Sequence, residues 1–173
     1  MTLVAMMDVS LMDAQARAMM PVIANTLAHR QYCSIAAGGP MKVKECMTKE
    51  VVTVKPELSA KEAFGLIKSL GVRHLVVVKE GVVLGIVTDR DLRRPQAADL
   101  FKSWDELYRL SDEFQVEDVM TSPVLTIDAN ADVQEAAGLM VKRRIGALPV
   151  TDAHHGLAGI ITETDLLKAL IAS

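Results

Sequence analysis

An internal repeat constrains the fold of this chain more than any other feature, because a small repeated unit must bury its apolar surface against its copy. When the 173-residue chain is aligned on itself, Met47-Thr48 falls on Met120-Thr121, at an offset of 73 residues. After one extra residue near His154-His155 the offset becomes 74, and residues 85–92 then match residues 159–166 at five of eight positions. The chain is therefore expected to contain two copies of one structural unit.

Both copies predict the same order of secondary-structure elements. A β-branched run predicts a strand, and S-x-x-E or D-x-x-E after it predicts a capped helix start. Apolar residues then recur at helical spacing, and two further apolar runs around a turn predict a hairpin followed by a second helix. The predicted elements are strands 51–54, 75–78 and 82–87 with helices from Ser59 and Thr88, and strands 124–127, 147–151 and 157–161 with helices from Asp132 and Thr162. The fold class is therefore α/β (α+β), with two βαββα units in tandem.

The repeat divides the chain into four segments. Residues 41–95 form the first repeat and residues 116–173 the second. The charged, aromatic-containing residues 96–115 predict a connecting helix, or equally a surface that covers a partner subunit. Residues 1–40 are an extension or linker without an assigned role, in which residues 8–30 favour one amphipathic helix; alternatively, this segment is an over-extended start.

Composition argues against several function classes. The formal charge is −3, and one Trp, two Tyr and three Phe leave few stacking platforms, so no nucleic-acid partner is expected. Cys33 and Cys46 have no zinc-ligand spacing and signal no disulfide framework, which favours a reducing compartment. No apolar run approaches the roughly 20 residues that cross a bilayer. We therefore expect a cytoplasmic protein without a membrane or metal partner.

The repeated motifs resemble those of the cystathionine-β-synthase (CBS) domain family over residues 41–173. Both copies contain M-T-x-x-h-x-T-h, where h is apolar, then an apolar central strand and a closing G-I-h-T-x-x-D-L. Arg93-Arg94 before a charged spacer is also similar to the bacterial acetoin utilization-like proteins. The resemblance implies a pseudo-twofold CBS pair (Bateman module) that forms homodimers.

The resemblance also implies a ligand and a role. Family members bind AMP, ADP, ATP, S-adenosylmethionine or related adenosyl compounds in clefts between the repeats, with or without Mg²⁺. They hold no prosthetic group and alter the activity of a partner protein or a fused enzyme. The implied function is a non-catalytic ligand sensor, and its regulated partner is not identified by the sequence.

The T-x-x-D motifs at Thr88 and Thr162 are the candidate binding elements. Each follows a strand and opens a helix, where free backbone N–H groups and the helix dipole favour an anion. The carboxylate of Asp91 or Asp165 could accept hydrogen bonds from the two hydroxyls of a ribose. The same spacing also forms a helix cap that needs no ligand. The resemblance favours ribose contact.

The resemblance implies two unequal clefts, each combining residues of both repeats. The primary cleft would contain Thr88, Asp91, Ile86, Arg73 and His74, with Ala136, Ile145 and Gly146 on the adenine side. The weaker secondary cleft would contain Thr162, Asp165, Ile160, Ala63 and Val72. Arg73 and His74 occupy positions of phosphate-binding cations, whereas the aligned Gly146 and Ala147 are uncharged. The secondary cleft is therefore expected to prefer a nucleoside or to stay empty.

Two other functions compete with ligand sensing. A dimerisation or scaffold module would keep the fold and bind no nucleotide, which the uncharged secondary cleft permits. An enzyme is disfavoured, because the sequence shows no suitably spaced carboxylate pair, no activated cysteine or serine with a base, and no P-loop. No catalytic or metal-binding residue is predicted.

Overall fold

The computed structural model describes residues 7–8, 40–93 and 114–172, which divide into two compact units. The first unit contains described residues 7–8, 52–93 and 114–124, and the second contains residues 40–51 and 125–172. In chain order the elements are β1 Met7–Asp8, α1 Val43–Cys46, β2 Val52–Val54, α2 Ala60–Leu70, β3 His74–Lys79, β4 Val82–Thr88, α3 Asp89–Arg93, α4 Val116–Val119, β5 Ile127–Asp128, α5 Val133–Arg143, β6 Ala147–Thr151, β7 Leu157–Thr162 and α6 Glu163–Ala172.

The first unit is built on a sheet with strand order β1-β2-β3-β4. Strands β1, β2 and β3 run parallel, and β3 pairs with β4 as the predicted antiparallel hairpin. Helix α2 is capped by Ser59, whose Oγ accepts a hydrogen bond from the Glu62 backbone N–H at 3.2 Å, as predicted. It ends at Gly71, which has the left-handed φ of 64° common at helix ends. The apolar face of α2 packs with Leu75 and Val87 in one core.

The second unit repeats this arrangement on the three-stranded sheet β5-β6-β7, with β5 parallel to β6 and β6 antiparallel to β7. The strand expected at residues 124–127 is displaced, because only Ile127 and Asp128 pair with β6. The expected cap at Asp132 is also wrong. The Asp132 carboxylate makes no capping bond and instead accepts a hydrogen bond from Lys42 Nζ at 2.8 Å.

The four-residue helices α1 and α4 precede the repeats' first strands and were not predicted. The Val43 side chain of α1 is buried in the core of the second unit, and Val116 of α4 is buried in the core of the first. We call the residues of each repeat that precede its first strand, with α1 or α4 and the M-T dipeptide, its leading segment. Each compact unit therefore combines the sheet of one repeat with the leading segment of the other. The sequence repeats and the compact units are consequently different divisions of the chain.

Backbone hydrogen bonds fasten each leading segment to the hairpin that it joins. Thr48 and Ile160 exchange two N–H···O bonds of 2.9 Å in the second unit. Thr121 and Ile86 exchange the equivalent bonds, of 2.9 and 3.2 Å, in the first unit. Each pair forms an antiparallel bridge beside the last strand of the sheet. The M-T dipeptides that revealed the repeat are therefore sheet-edge residues.

Two predicted helices lie largely outside the described residues. The connecting helix at residues 96–115 lies outside them except for Phe114 and Gln115, and the helix at residues 8–30 lies outside them except for Asp8, which belongs to β1. The cysteine spacing signalled no disulfide, and this prediction is wrong, since Cys46 is disulfide-bonded. The spacing could not reveal the bond, because a disulfide depends on spatial proximity rather than on a sequence motif. In the described part of the chain, no helix is long and apolar enough to cross a membrane.

Candidate functional site

The first T-x-x-D motif connects β4 to α3 and forms a reciprocal helix cap. Asp91 Oδ2 accepts hydrogen bonds from the Thr88 backbone N–H at 2.9 Å and from Thr88 Oγ1 at 2.6 Å. The Asp91 backbone N–H in turn donates to Thr88 Oγ1 at 3.3 Å. Both side chains are half-buried. The capping interpretation of this motif is therefore confirmed.

The second motif connects β7 to α6 with nearly the same geometry. Asp165 Oδ2 accepts from the Thr162 backbone N–H at 2.9 Å and from Thr162 Oγ1 at 2.7 Å. Asp165 is 9% exposed and is the one buried carboxylate among the described residues. The two hydrogen bonds replace part of the hydration that the Asp165 carboxyl loses on burial.

The helix starts offer fewer free N–H groups than the sequence predicted. The Asp89 N–H donates to the Arg73 carbonyl at 3.3 Å, and the Glu163 N–H donates to the Gly146 carbonyl at 3.0 Å. Together with the bond from the Asp91 N–H to Thr88 Oγ1, these contacts account for two N–H donors at the start of α3 and one at the start of α6. The expectation of an anion held by helix-start N–H groups stays a prediction, with fewer donors than the sequence indicated.

One carboxylate oxygen of each motif takes no part in the helix cap. Oδ2 of Asp91 and Oδ2 of Asp165 accept both capping bonds. Among the hydrogen bonds of the described residues, none reaches Oδ1 of either aspartate. A carboxylate fixed through one oxygen can present the other to hydroxyl donors without losing the helix cap. The capping and ligand-binding interpretations are therefore compatible.

The first unit brings the predicted cations close to its motif along the backbone. His74 is the cross-strand partner of Thr88, and Arg73 precedes it with its carbonyl bonded to the Asp89 N–H. Arg73 is exposed and His74 is half-buried. Ile86 lies two residues before Thr88 on β4 and is 9% exposed. The structure thus places these four predicted residues at one end of the hairpin.

The second unit confirms which residues are equivalent. Ala147 is the cross-strand partner of Thr162, and the Gly146 carbonyl accepts from the helix-start N–H, as Arg73 does in the first unit. Ala147 and Gly146 therefore stand where His74 and Arg73 stand in the first repeat. Ile160 occupies the place of Ile86.

Each of the two predicted clefts combines residues that lie in different compact units. Ala136, Ile145 and Gly146 belong to the second unit, whereas Thr88 belongs to the first. In the same way, Ala63 and Val72 belong to the first unit and Thr162 to the second. Ala63 and Ala136 are fully buried among core side chains. The composition of the two clefts stays a prediction.

The sequence analysis missed a charge difference around the two motifs. Lys68 Nζ lies 3.5 Å from Asp89 Oδ1 in the first unit. The residue that aligns with Lys68 at the 73-residue offset is Val141, and Glu163 aligns with Asp89. The Glu163 carboxylate lies against Gly146, with Oε2 3.5 Å from the position of a Cβ there. Comparing charges at every aligned position would have revealed this difference.

Other polar features of the described residues have structural explanations. Asp152 Oδ1 accepts from the backbone N–H groups of His154 and Gly156, both at 2.9 Å, and these bonds lower the pKa of Asp152. His154 and His155 are exposed in that turn. The basic residues 142–144 are exposed at the C-terminus of α5, where cations complement the helix dipole.

Comparison with known proteins gives the same repeat. The CBS domain family model matches residues 43–97 and 116–172. The CBS domain-containing protein YhcV of Bacillus subtilis is 32% identical over 124 residues, which cover 72% of this chain and 81% of YhcV. The inosine-5′-monophosphate dehydrogenase of Methanocaldococcus jannaschii is 33% identical over 128 residues, which cover 73% of this chain and only 23% of the dehydrogenase. The match to the dehydrogenase therefore concerns a minor part of that enzyme.

Solved structures share both fold and sequence with the chain. CBSX2 of Arabidopsis thaliana in complex with AMP has a TM-score of 0.62 and 29% identity, covering 76% of this chain and 96% of CBSX2. The CBS domain pair of protein MJ0100, in complex with 5′-methylthioadenosine and S-adenosyl-L-methionine, has a TM-score of 0.66 and 25% identity, covering 78% and 98%. A Vibrio cholerae protein assigned to acetoin utilization (AcuB) has a TM-score of 0.64 and 32% identity, covering 78% and 93%. The chain therefore belongs to the CBS domain family and carries two CBS domains in tandem.

Proposed function

We propose that this protein is a non-catalytic regulatory module that binds an adenine nucleotide or adenosyl ligand and transmits the binding to a partner protein. The proposal is carried by one observation, which is that the Oδ1 atom of the capping aspartate in each unit takes no part in the helix cap. This atom provides a fixed, charged acceptor for the hydroxyls of a ribose. The AMP complex of CBSX2 and the adenosyl complexes of MJ0100 support the ligand class.

The first unit is proposed as the principal site for phosphate-bearing ligands. Its motif lies beside Arg73 and His74, and Lys68 lies next to Asp89. This cluster of basic residues favours AMP, ADP or ATP over an uncharged nucleoside. Mg²⁺ would accompany the longer phosphate chains. The second motif, whose aligned neighbours Gly146 and Ala147 are uncharged, is proposed as the weaker site.

The decisive experiment is isothermal titration of the full chain with AMP, ATP and S-adenosylmethionine. Asp91→Ala is expected to remove the tight AMP binding of the first unit and leave only the weaker second site, because it removes the proposed ribose acceptor of the first unit. Asp165→Ala is the matched control, which removes the equivalent carboxylate from the second unit and is expected to leave AMP binding largely intact. Thermal melting of both variants checks that each remains folded.

A second variant separates ligand contact from helix capping. Asp91→Asn keeps an oxygen that can accept the Thr88 N–H bond but removes the negative charge. It is expected to retain the melting temperature more closely than Asp91→Ala while weakening AMP binding by about tenfold or more. Micromolar AMP binding by all three variants would contradict the proposed site.

A ligand-independent dimerisation or scaffold module is the second candidate function. Its specific support is that both T-x-x-D motifs already satisfy their own helix caps without a ligand. Exposed apolar side chains of the second unit offer a surface for a homodimer: Val141, Leu167, Leu170 and Ile171. Absence of binding to all three ligands, with self-association retained, would favour this function.

A further inference from the structure

The two motifs differ in charge more than in geometry. Three cations accompany the two carboxylates of the first motif, whereas two carboxylates and no cation occupy the aligned positions of the second. The first set is Lys68, Arg73, Asp89, Arg90 and Asp91, and the aligned second set is Val141, Gly146, Glu163, Thr164 and Asp165. Because the backbone geometry is shared, this difference should control which ligand each motif accepts.

Glu163 places a negative charge over the position at which the first unit has the cation Arg73. Its carboxylate lies over Gly146, the residue that replaces Arg73, at 3.5 Å from the Cβ position. Among the described residues, Glu163 takes part in no ion pair, whereas the aligned Asp89 is paired with Lys68. The Glu163 side chain is also exposed, so its charge acts on a ligand that approaches Thr162 and Asp165.

We infer that Glu163 makes the second motif select adenosyl ligands with a positively charged or neutral 5′ substituent and reject those with a 5′ phosphate. The carboxylates of Glu163 and Asp165, two residues apart in the first turn of α6, repel the dianionic phosphate of AMP and attract a sulfonium or ammonium group. This inference rests on the proposed function, because it names the ligand class of one of the proposed sites.

The test uses the full chain carrying Asp91→Ala, so that the second motif is measured alone. Isothermal titration with adenosine, AMP and S-adenosylmethionine is expected to show AMP as the weakest ligand. Adding Glu163→Gln should tighten AMP binding about five- to tenfold, weaken S-adenosylmethionine binding by a similar factor, and leave adenosine within about twofold. These changes should shrink at high ionic strength, since the charge is exposed to solvent.

Asp89→Asn in the same Asp91→Ala chain is the matched control, because it removes the aligned carboxylate of the first unit, and it should change none of the three affinities. Glu163→Ala provides a second neutral variant with the same expected direction. Equal changes in AMP and adenosine affinity, or AMP binding as tightly as adenosine before Glu163 is replaced, would overturn the inference. So would loss of all binding in the Asp91→Ala chain while the wild-type chain binds. Failure of the wild-type chain to bind any of the ligands would instead overturn the proposed function.

Discussion

Met47 packs directly on the backbone of Gly159, with its Sδ atom 2.6 Å from the position that a Cβ on this glycine would take. The Thr48 carbonyl oxygen lies 2.8 Å from the same position. Gly85 has the same relation to Met120 in the other unit, also at 2.6 Å. The leading segments thus approach the hairpins so closely that a side chain at either glycine has no room.

Gly159→Ala is therefore expected to destabilise the protein by about 1–3 kcal/mol, the usual cost of forcing a methyl group into a packed site. The methionine side chain can move, but the Thr48 carbonyl is held by its bond with Ile160. Urea denaturation measures the change. Gly138→Ala is the control: apart from its chain neighbours and the helix's own backbone, no atom lies within 4 Å of its Cβ position in helix α5, and it should stabilise by up to about 1 kcal/mol. Equal effects of the two substitutions would contradict the packing argument.

The two helix starts should respond differently to alanine. Ser59→Ala removes the hydrogen bond to the Glu62 N–H and should cost about 1 kcal/mol of unfolding free energy. Asp132→Ala removes only the ion pair with Lys42. Because the Lys42 and Asp132 side chains are 38% and 41% exposed, the loss should cost between about 0 and 1 kcal/mol of unfolding free energy. Chemical denaturation in low and high salt distinguishes them, since only the Asp132 effect should decrease with salt. A salt-independent loss of the larger size at Asp132 would show that it caps after all.

Asp152 should make stability depend on pH in the acidic range. Backbone N–H donors of Gly156 and His154 lower the pKa of this carboxyl in the folded protein. Its contribution is therefore present above the unfolded-state pKa and is lost as the pH falls through the lower folded-state pKa. An NMR titration of the side-chain carboxyl carbon should show the lowered pKa. Asp152→Asn keeps a side-chain acceptor and should flatten this part of the stability profile; an unchanged profile would disprove the contribution.

Self-association should depend on the exposed apolar residues of helix α6. Leu167 is 60% exposed and Ile171 is 83% exposed, so a charge at either position costs the monomer little. Sedimentation velocity should show a homodimer for the wild-type chain and a monomer for Leu167→Glu with Ile171→Glu. Val82→Glu, at a residue 58% exposed in the first unit, should leave the dimer intact. A dimer that survives the double substitution uses another surface.

The repeat and most of its elements could be predicted because their signals are local. Ser59 and Glu62 define a helix start within four residues, and β-branched runs define the hairpins. The exchange of leading segments could not be predicted, because it depends on contacts such as Thr48 with Ile160, separated by more than 100 residues. The same exchange explains the error at Asp132, whose partner Lys42 comes from the other repeat.

The motif residues Thr88 and Asp91 could be located from spacing, but their hydrogen bonds could not. The sequence predicted free helix-start donors, whereas Thr88 Oγ1 accepts from the Asp91 N–H and the Arg73 carbonyl accepts from the Asp89 N–H. The influence of Glu163 was also missed, since it follows from a carboxylate lying over Gly146 rather than from a conventional binding motif.

The exchange of leading segments has a consequence for dissection of the chain. A fragment that ends after α3 would keep the hairpin containing Gly85 but lose Val116 and Met120, which complete its core. Such a half-length fragment is expected to be unstable alone and to recover structure only by domain swapping, with each copy lending its α1 segment to the other. Two single repeats on separate chains would then rebuild, as an intermolecular pair, the arrangement that one chain achieves within itself.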